Sequence, residues 1–394
     1  MKNIPYGRQH IDSSDIKAVS KAMKADLITT GDYVKKFENI IVKLLKVKFA
    51  VSCNSGTSAI HLAFLSINLK KNDVVIMPAI NFIAAYNLAK MMGAKIFLAD
   101  VDPSTGQMTP AKLLECINKN RLKKIKAIVT MYLGGYPENV TEFYKIKKKL
   151  RCFLIEDACH ALGAQYNFRG KNIYIGSCKH SDISTFSLHP VKTITSGEGG
   201  VVTTNNKFFF NNIKLLRSHG LKRGKFHWDY DILFHGLNYR LSDINCAIAI
   251  SQIKKIKKFI NLRKRINFFY RKKFCNLNYF FTLPKYSKDI KSSYHLFLIN
   301  FNLKKISINK KFFFKKMLVN KIICQYHYKP IFLFKKIFNQ KFIKKNFKGA
   351  IAYYKNTVSL PIFPDLSKKN QFLIVKVIKN LFQNKSNRVI KVYK

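Results

Sequence analysis

Between residues 49 and 203, short apolar runs alternate with segments of helical periodicity. The apolar runs are Phe49–Ser52, Val74–Met77, Lys95–Leu98, Ala127–Thr130, Phe153–Ile155, Ile183–Phe186 and Val201–Thr203. The helical patterns between them span residues 57–66, 82–92, 110–118 and 141–150. Such continuous apolar runs are typical of parallel strands that are buried on both faces. The alternation predicts an α/β fold with a mainly parallel mixed sheet covered by helices, and such sheets bind ligands at the carboxyl ends of their strands.

The pattern changes after Arg240. A long helical region runs to about Phe274, and a lysine- and phenylalanine-rich mixture follows it and ends in a helical pattern at residues 371–382. A chain of 394 residues is long enough for two sizeable cores. We expect a large domain over residues 1–254 and a smaller C-terminal α+β domain over residues 255–394.

The chain has 72 Lys and Arg residues against 20 Asp and Glu, which gives a formal net charge of +52. A charge of this size would normally suggest nucleic-acid binding. The basic runs between residues 254 and 273, however, fall at helical spacing with apolar residues between them, which is typical of an amphipathic helix with a solvated face. We therefore expect no nucleic-acid partner, and we expect the positive field to speed the encounter with an anionic substrate.

The N-terminal segment lacks the apolar core of a signal peptide, and no stretch approaches membrane-spanning length. We expect a cytoplasmic protein with no membrane partner. The eight cysteines are scattered without CxxC pairs, which indicates buried, small apolar residues. Cys178 with His180 is the single close Cys/His pair, so four metal ligands are not completed and we expect no metal site.

Lys192 lies between an apolar strand and the glycine-rich turn at Gly197–Gly200. A lysine in such a setting can be held partly unprotonated by burial, and its amine then condenses with a carbonyl group. The alternative for any one lysine of this chain is an exposed position on a loop. Ser187 on the preceding strand and the turn that follows favour the reactive lysine.

Asp157 ends the apolar run that begins at Cys152. A carboxylate at the end of a buried strand costs free energy unless it meets a cation or strong hydrogen-bond donors. A protonated pyridine nitrogen is such a partner, and a ring that keeps that proton is an electron sink. A helix N-cap or a buried ion pair is the alternative. His160 is placed to contact the same ring, although a single histidine is more often structural.

The segment Asn54-Ser55-Gly56-Thr57 follows a strand and opens a helix. Its N–H groups, hydroxyls and helix dipole converge on one point, which suits a monophosphate. Neither the GxxxxGK[ST] loop of ATP-binding proteins nor the GxGxxG turn of NAD-binding proteins is present. The alternative to a phosphate site is ordinary capping of the helix by Ser and Thr side chains. Phe82 is placed either to stack on a ring at this edge or to lie in the core. Lysine, carboxylate and phosphate cradle together indicate pyridoxal phosphate.

These segments, with those at residues 217–220, 236–242 and 359–361, resemble in this order the DegT/DnrJ/EryC1/StrS family of sugar-nucleotide aminotransferases. Members of that family are fold-type I pyridoxal phosphate enzymes, and the resemblance runs nearly end to end. It implies that Lys192 binds the cofactor aldehyde covalently and that Asp157 pairs with the pyridine nitrogen. It also implies a homodimer with active sites at the subunit interface, in which the phosphate meets Ser187, Gly56 and Thr57 and, from the neighbouring subunit, Asn238.

Within the family, residues 189–195 and 327–331 most resemble enzymes of pseudaminic acid-type nonulosonate biosynthesis. The resemblance implies transfer of the amino group of L-glutamate to C4 of a UDP-linked 4-keto-6-deoxy-N-acetylhexosamine. It places the nucleotide sugar against an N-terminal arm and a late segment, with contacts from Tyr6, Asp26, Leu27, Ile28, Thr29, Gly56, Ser187, Asn238, His327, Tyr328, Lys329 and Pro330.

Two departures from the usual family pattern leave the sugar open. Thr30 stands where an amide is commoner, and Ile362 stands after Pro361 where a polar residue or histidine is often found. A transaminase of the perosamine or 4-amino-arabinose type is therefore an alternative. A noncatalytic basic binding protein with this fold is another, and the presence of both Lys192 and Asp157 disfavours it.

Overall fold

The structure is a computed structural model that describes residues 3–226, 228–285, 287–303, 309–334 and 346–390. The helices are α1 Ser13–Met23, α2 Asp32–Leu45, α3 Gly56–Ser66, α4 Ala84–Met91, α5 Pro110–Lys119, α6 Val140–Leu150, α7 Lys207–Leu216, α8 Asp243–Lys254, α9 Ile256–Phe274, α10 Lys310–Val319, α11 Lys348–Asn356 and α12 Lys368–Ile390. The strands are β1 Phe49–Cys53, β2 Val74–Pro78, β3 Lys95–Ala99, β4 Ala127–Met131, β5 Phe153–Asp157, β6 Gln165–Phe168, β7 Lys171–Tyr174, β8 Ile183–Ser187, β9 Gly200–Thr204, β10 Leu221–Arg223, β11 Tyr230–Ile232, β12 Phe281–Thr282, β13 Ile290–Lys291, β14 Phe297–Phe301 and β15 Thr357–Leu360.

A seven-stranded sheet of order β1-β9-β8-β5-β4-β2-β3 forms the centre of the molecule. Strands β8, β5, β4, β2 and β3 run parallel to one another, whereas β9 is antiparallel to both of its neighbours. The predicted mainly parallel sheet is therefore confirmed. Each apolar run of the sequence became one of these strands, and each strand continues by one or two residues beyond the run.

Helices cover both faces of this sheet and bury apolar side chains there. On one face Ala63 and Phe64 of α3 pack with Ala85 of α4 and Ile213 of α7. On the other face α2, α8 and the start of α9 pack together. Asp243, at the start of α8, accepts hydrogen bonds from the backbone N–H groups of residues 31 and 33 at 2.7 and 2.8 Å, and so caps α2, which has no capping side chain of its own.

The C-terminal third of the chain has its own apolar cluster, which joins α9, α10 and α12 to strands β12, β14 and β15. Ile4 of the N-terminal arm also packs there, and its N–H donates to the carbonyl of Lys321 at 2.8 Å. The N-terminal arm is therefore attached to this C-terminal cluster. Helices α8 and α9 are interrupted at Lys255, and the division of the chain into domains at residues 254 and 255 stays a prediction.

The solvated face predicted for the basic helix α9 is only partly present. Lys257, Lys258, Lys264 and Arg265 are exposed. The prediction is wrong for Arg263, which is 0% exposed. Helical spacing did not reveal this burial because the partners of the guanidinium are backbone carbonyls from distant segments.

Six of the eight cysteines are buried as predicted, Cys159 is partly buried, and the prediction is wrong for Cys275. Cys275 is exposed because it lies just past the C-terminus of α9, where the helix leaves its apolar cluster. In the part of the chain that the structure describes, no helix combines the length and apolar character needed to cross a bilayer.

Candidate active site

Strands β4, β5 and β8 end around a cavity of about 380 Å³, and the N-terminus of α3 points into it. A larger open groove of about 800 Å³ lies elsewhere, but it contains neither Lys192 nor Asp157. The smaller cavity brings together eleven of the residues to which the sequence assigned a role: Tyr6, Ser55, Gly56, Thr57, Phe82, Asp157, His160, Ser187, Lys192, His327 and Tyr328.

Lys192 reaches the cavity from a short turn in which its N–H donates to the carbonyl of His189 at 2.9 Å. Burial lowers the pKa of the Lys192 amine, although Cys159 and Asp157 beside it act in the opposite direction. A lower pKa increases the fraction of neutral amine at physiological pH. The side chain is therefore suited to attack a carbonyl carbon.

Asp157 is the last residue of β5 and is 3% exposed. One carboxylate oxygen accepts a hydrogen bond from the Cys159 N–H at 3.2 Å. Burial raises the pKa of Asp157, while Cys159 and the positive charge of Lys192 lower it. Among the described residues no salt bridge involves this carboxylate. A cationic N–H group in the cavity would therefore supply the partner that a buried carboxylate requires.

Glu156 precedes Asp157 and points to the opposite face of the sheet, since successive side chains of a strand alternate. It is 3% exposed and accepts hydrogen bonds from the hydroxyls of Tyr132, at 2.8 Å, and Ser184. Both contacts lie away from the cavity, and Glu156 does not line it. The two neighbouring carboxylates therefore have different environments, one structural and one facing the cavity.

The start of α3 forms an anion cradle. Ser55 is the N-cap, and its hydroxyl accepts a hydrogen bond from the Ser58 N–H at 3.0 Å. A Cβ atom at Gly56 would lie 2.7 Å from the Cβ of Ser187, so only glycine allows this close approach of α3 to the end of β8. The first N–H groups of a helix have no partner within the helix and carry the positive end of its dipole. These residues fit a monophosphate group.

His160 and Tyr328 form a hydrogen-bonded pair at the cavity, with 2.9 Å between His160 Nε2 and the Tyr328 oxygen. His160 Nδ1 accepts a hydrogen bond from the Gly134 N–H at 3.3 Å. Burial, together with nearby positive charge from Lys192, holds the pKa of His160 well below its usual range. The ring is therefore neutral with its proton on Nε2, and it donates to Tyr328. Burial raises the pKa of Tyr328, so its hydroxyl keeps a proton to donate into the cavity.

Further aromatic rings line the cavity beside this pair. Phe82 is 52% exposed, and its ring centroid lies 5.8 Å from that of Tyr328. The Tyr6 ring lies 5.2 Å from the ring of His327. His327 Nδ1 is 2.8 Å from the Ser359 hydroxyl, and burial lowers the pKa of His327 to about 3. These groups offer flat, uncharged surfaces for a ring.

Several residues with a sequence-assigned role do not line this cavity. Asn238 is exposed, and its carbonyl accepts a hydrogen bond from the Asn54 amide at 3.3 Å. The segment Asp26–Thr29 is also exposed and is joined to α8 by a bridge between residues 29 and 242. The Lys329 ammonium lies 4.8 Å from the ring centroid of Phe334, and Pro330 is buried. The roles of all these residues stay predictions.

The sequence assigned no role to some residues that the structure brings to the site. Cys159, His189 and Glu198 line the cavity, and His189 Nε2 lies 4.0 Å from Glu198 Oε1. The position of Cys159, two residues past Asp157, was the available signal for that residue. His295 packs its ring 4.1 Å from the His160 ring, and no local pattern indicates a contact between segments so far apart in the chain.

The sequence matches the DegT/DnrJ/EryC1/StrS aminotransferase family over residues 9–379. A UDP-4-amino-4,6-dideoxy-N-acetyl-beta-L-altrosamine transaminase from Campylobacter jejuni strain 81-176 is 38% identical over 368 residues, which cover 93% of this chain and 94% of that protein. GDP-perosamine synthase from Escherichia coli O157:H7 is 30% identical over 389 residues, which cover 98% of this chain and 100% of that enzyme.

Solved structures share the fold over nearly the whole chain. Helicobacter pylori PseC, an aminotransferase involved in the biosynthesis of pseudoaminic acid, has a TM-score of 0.86 at 28% identity and covers 97% of this chain and 100% of its own. The PMP form of Spr1654 from Streptococcus pneumoniae has a TM-score of 0.88 at 23% identity over 97% of this chain and 100% of its own. The predicted fold type, enzyme class and pyridoxal phosphate cofactor are confirmed by these matches. The chain therefore belongs to the DegT/DnrJ/EryC1/StrS aminotransferase family.

Proposed function

We propose that this aminotransferase moves the amino group of L-glutamate to C4 of a UDP-linked 4-keto-6-deoxy-N-acetylhexosamine, in pseudaminic acid-type nonulosonate biosynthesis. The observation that carries the chemistry is the meeting of Lys192, Asp157 and the cradle at residues 55–57 in one cavity. The 38% identity to the C. jejuni transaminase supports the sugar. The 30% identity to GDP-perosamine synthase makes a GDP-linked ketosugar the second candidate.

In this proposal Asp157 holds the proton of the pyridine nitrogen, and Ser55, Gly56, Thr57 and Ser187 bind the phosphate. Phe82 stacks on the ring from the exposed side of the cavity, where its side chain lies. Tyr6, His327 and Tyr328 contact the nucleotide sugar, with Lys329, Pro330 and Asp26–Thr29 at its periphery. Their place in the lining of the cavity supports these roles for Tyr6, His327 and Tyr328.

Pyridoxal phosphate, when bound, carries the amino group between donor and acceptor and stores the electron pair of the broken C–H bond. The amine of Lys192 acts as the general base, and Nζ takes the proton from the α-carbon of glutamate in the first half of the reaction. In the second half Nζ delivers a proton to C4 of the sugar. Asp157 keeps the ring nitrogen protonated throughout, and the neutral His160–Tyr328 pair donates a hydrogen bond into the cavity.

A substrate panel tests the proposal. We expect the visible absorption band of the purified protein to bleach on addition of L-glutamate. We then expect kcat/KM for the UDP-linked 4-keto-6-deoxy-N-acetylhexosamine to exceed that for GDP-, dTDP- and pentose-derived ketosugars by about 100-fold or more, because buried polar groups of the site reject a sugar that leaves them unpaired. Preference for the GDP-linked ketosugar would change the assigned substrate but leave the assigned reaction in place. A protein without the visible band would contradict both the substrate and the reaction.

We infer that the active enzyme is a homodimer in which Asn238 of one chain completes the phosphate site of the other. Asn238 is exposed and lies outside the cavity of its own chain. The nearby hairpin β10–β11 and its flanks expose an apolar patch to solvent, and such patches mark interaction surfaces. The exposed fractions are 53% for Phe226, 65% for Trp228, 65% for Tyr230, 59% for Ile232 and 45% for Leu233.

Mixing two inactive variants tests the shared site. Lys192→Ala and Asn238→Asp should each have little activity alone, the second because an added carboxylate repels phosphate. Coexpression should restore about a quarter of the wild-type activity, since half of the dimers are mixed and each mixed dimer has one intact site of two. Coexpression of Lys192→Ala with Asp157→Asn is the control, because both defects lie in one chain's cavity and no intact site forms. An absence of recovery in the first pair would exclude a shared site.

A further inference from the structure

Arg263 is a buried cation without an acidic partner among the described residues. It lies on the inner face of α9 and is 0% exposed. A buried charge is costly unless hydrogen bonds replace its hydration. Here the acceptors are four backbone carbonyls, and burial lowers the pKa of the guanidinium to about 10. The guanidinium is thus held by uncharged peptide groups alone.

The four carbonyls come from three separate segments. Nη2 lies 3.4 Å from the carbonyl oxygens of both Val191 and Lys192. Nη1 donates to the carbonyl of Ile362 at 2.7 Å and to that of His295 at 3.3 Å. One planar group therefore joins the turn that carries Lys192 to two segments of the C-terminal region.

Each of these three segments contains or contacts a residue that lines the cavity. Lys192 itself lines the cavity. His295 packs against the ring of His160, with 4.1 Å between centroids. The Ile362 N–H donates to the carbonyl of Tyr6 at 3.0 Å. The Arg263 guanidinium therefore hydrogen-bonds to three segments that position Lys192, His160 and Tyr6 in the cavity.

We propose that Arg263 is a positioning residue for transamination, which fixes the Lys192 backbone relative to the His160 and Tyr6 walls while the lysine side chain leaves and rejoins the cofactor. The inference rests on the role proposed for Lys192. The side chain of Lys192 must change its bonding in every half-reaction, so its backbone needs an anchor that does not depend on the side chain. The Nη2 group reaches two adjacent carbonyls while Nη1 reaches the other two segments, and a single ammonium cannot hold four carbonyls in this planar arrangement.

The test measures how fast the apoprotein forms its covalent link to added pyridoxal phosphate, in which the Lys192 amine condenses with the aldehyde and water is released. In Arg263→Gln we expect the visible band to appear about 10- to 100-fold more slowly, the range expected for a misplacement near 1 Å. The dissociation constant of pyridoxamine phosphate should stay within about threefold of wild type, since that ligand forms no link to Lys192. Arg263→Lys should recover part of the rate because it keeps the charge but not the fork.

Arg271→Gln is the matched control, because Arg271 lies two turns further along α9 and donates to the Pro284 carbonyl at 2.6 Å, away from the turn at Lys192. Its rate should equal that of wild type. A wild-type rate in Arg263→Gln would overturn the inference, and so would an equal loss of rate and pyridoxamine phosphate affinity. If Arg263→Gln fails to fold, Arg263→Lys becomes the test. A wild-type rate in Arg263→Lys, or unfolding of both variants, would then overturn the inference. Failure of the role proposed for Lys192 is distinct, since wild-type protein would then form no band, and a different sugar substrate would leave this test unchanged.

Discussion

Lys192→Ala is expected to lower turnover by at least about 1000-fold, because both the nucleophile and the general base are lost together. The variant should still bind pyridoxamine phosphate, because the Ser55–Thr57 cradle and Asp157 remain. Borohydride reduction followed by peptide mass spectrometry should locate the cofactor on residue 192 in wild type and nowhere in the variant. Steady-state kinetics and equilibrium dialysis complete the measurement.

Lys171→Ala is the matched control, since Lys171 is exposed on β7 and does not line the cavity. It should have the kinetics of wild type. Normal turnover in Lys192→Ala, or cofactor trapped on another lysine, would end the assignment of residue 192.

Asp157→Asn is expected to lower kcat by about 100- to 1000-fold, the range for loss of one preorganised electrostatic group in an active site. The amide keeps the shape of the buried side chain but carries no charge to hold a proton on the pyridine nitrogen. Cofactor binding should survive because the phosphate cradle is unchanged. The measurements are steady-state kcat and the single-turnover reaction with glutamate, the latter followed by the loss of visible absorption.

Glu156→Gln is a close control, because Glu156 is the neighbouring buried carboxylate and faces away from the cavity. Its replacement should change the free energy of unfolding by about 1 kcal/mol through altered hydrogen bonds to Tyr132 and Ser184, and should leave kcat near the wild-type value. Equal effects of the two substitutions on kcat would mean that Asp157 has no special electronic role.

The sheet was predictable because most of its strands are buried on both faces. Runs such as Val74–Met77 and Ala127–Thr130 contain no polar alternation, so they are recognisable as buried strands without knowledge of their neighbours. The cavity follows from the same rule, since Asp157 and Ser187 end parallel neighbours β5 and β8 and must therefore meet at one edge. Lys192 follows Ser187 closely enough to share that edge.

Contacts between distant segments were not predictable in this way. Tyr328 hydrogen-bonds to His160, and the ring of His295 packs on that of His160. Both contacts arise because the C-terminal region packs against the sheet, and spacing along the chain does not indicate them. The lysine-rich composition also hid Arg263, because a buried cation among many surface cations differs from them only in its surroundings. The helix α10 forms from a Lys/Phe tract that has no clean apolar stripe, although Phe313 and Met317 are buried.

The pairing of β1 with β9 has a consequence for biosynthesis. Strand β1 lies at the edge of the sheet, and its hydrogen-bonded neighbour is β9, with Phe49 opposite Thr204. On the ribosome the first strand to emerge therefore waits, unpaired, until translation has passed residue 204. During that interval its unpaired backbone N–H and C=O groups are open to wrong partners, which is the situation that chaperones relieve. Ser55 and Gly56 follow β1 after one intervening residue, so the nascent chain gains its vitamin-binding pocket only after this late pairing.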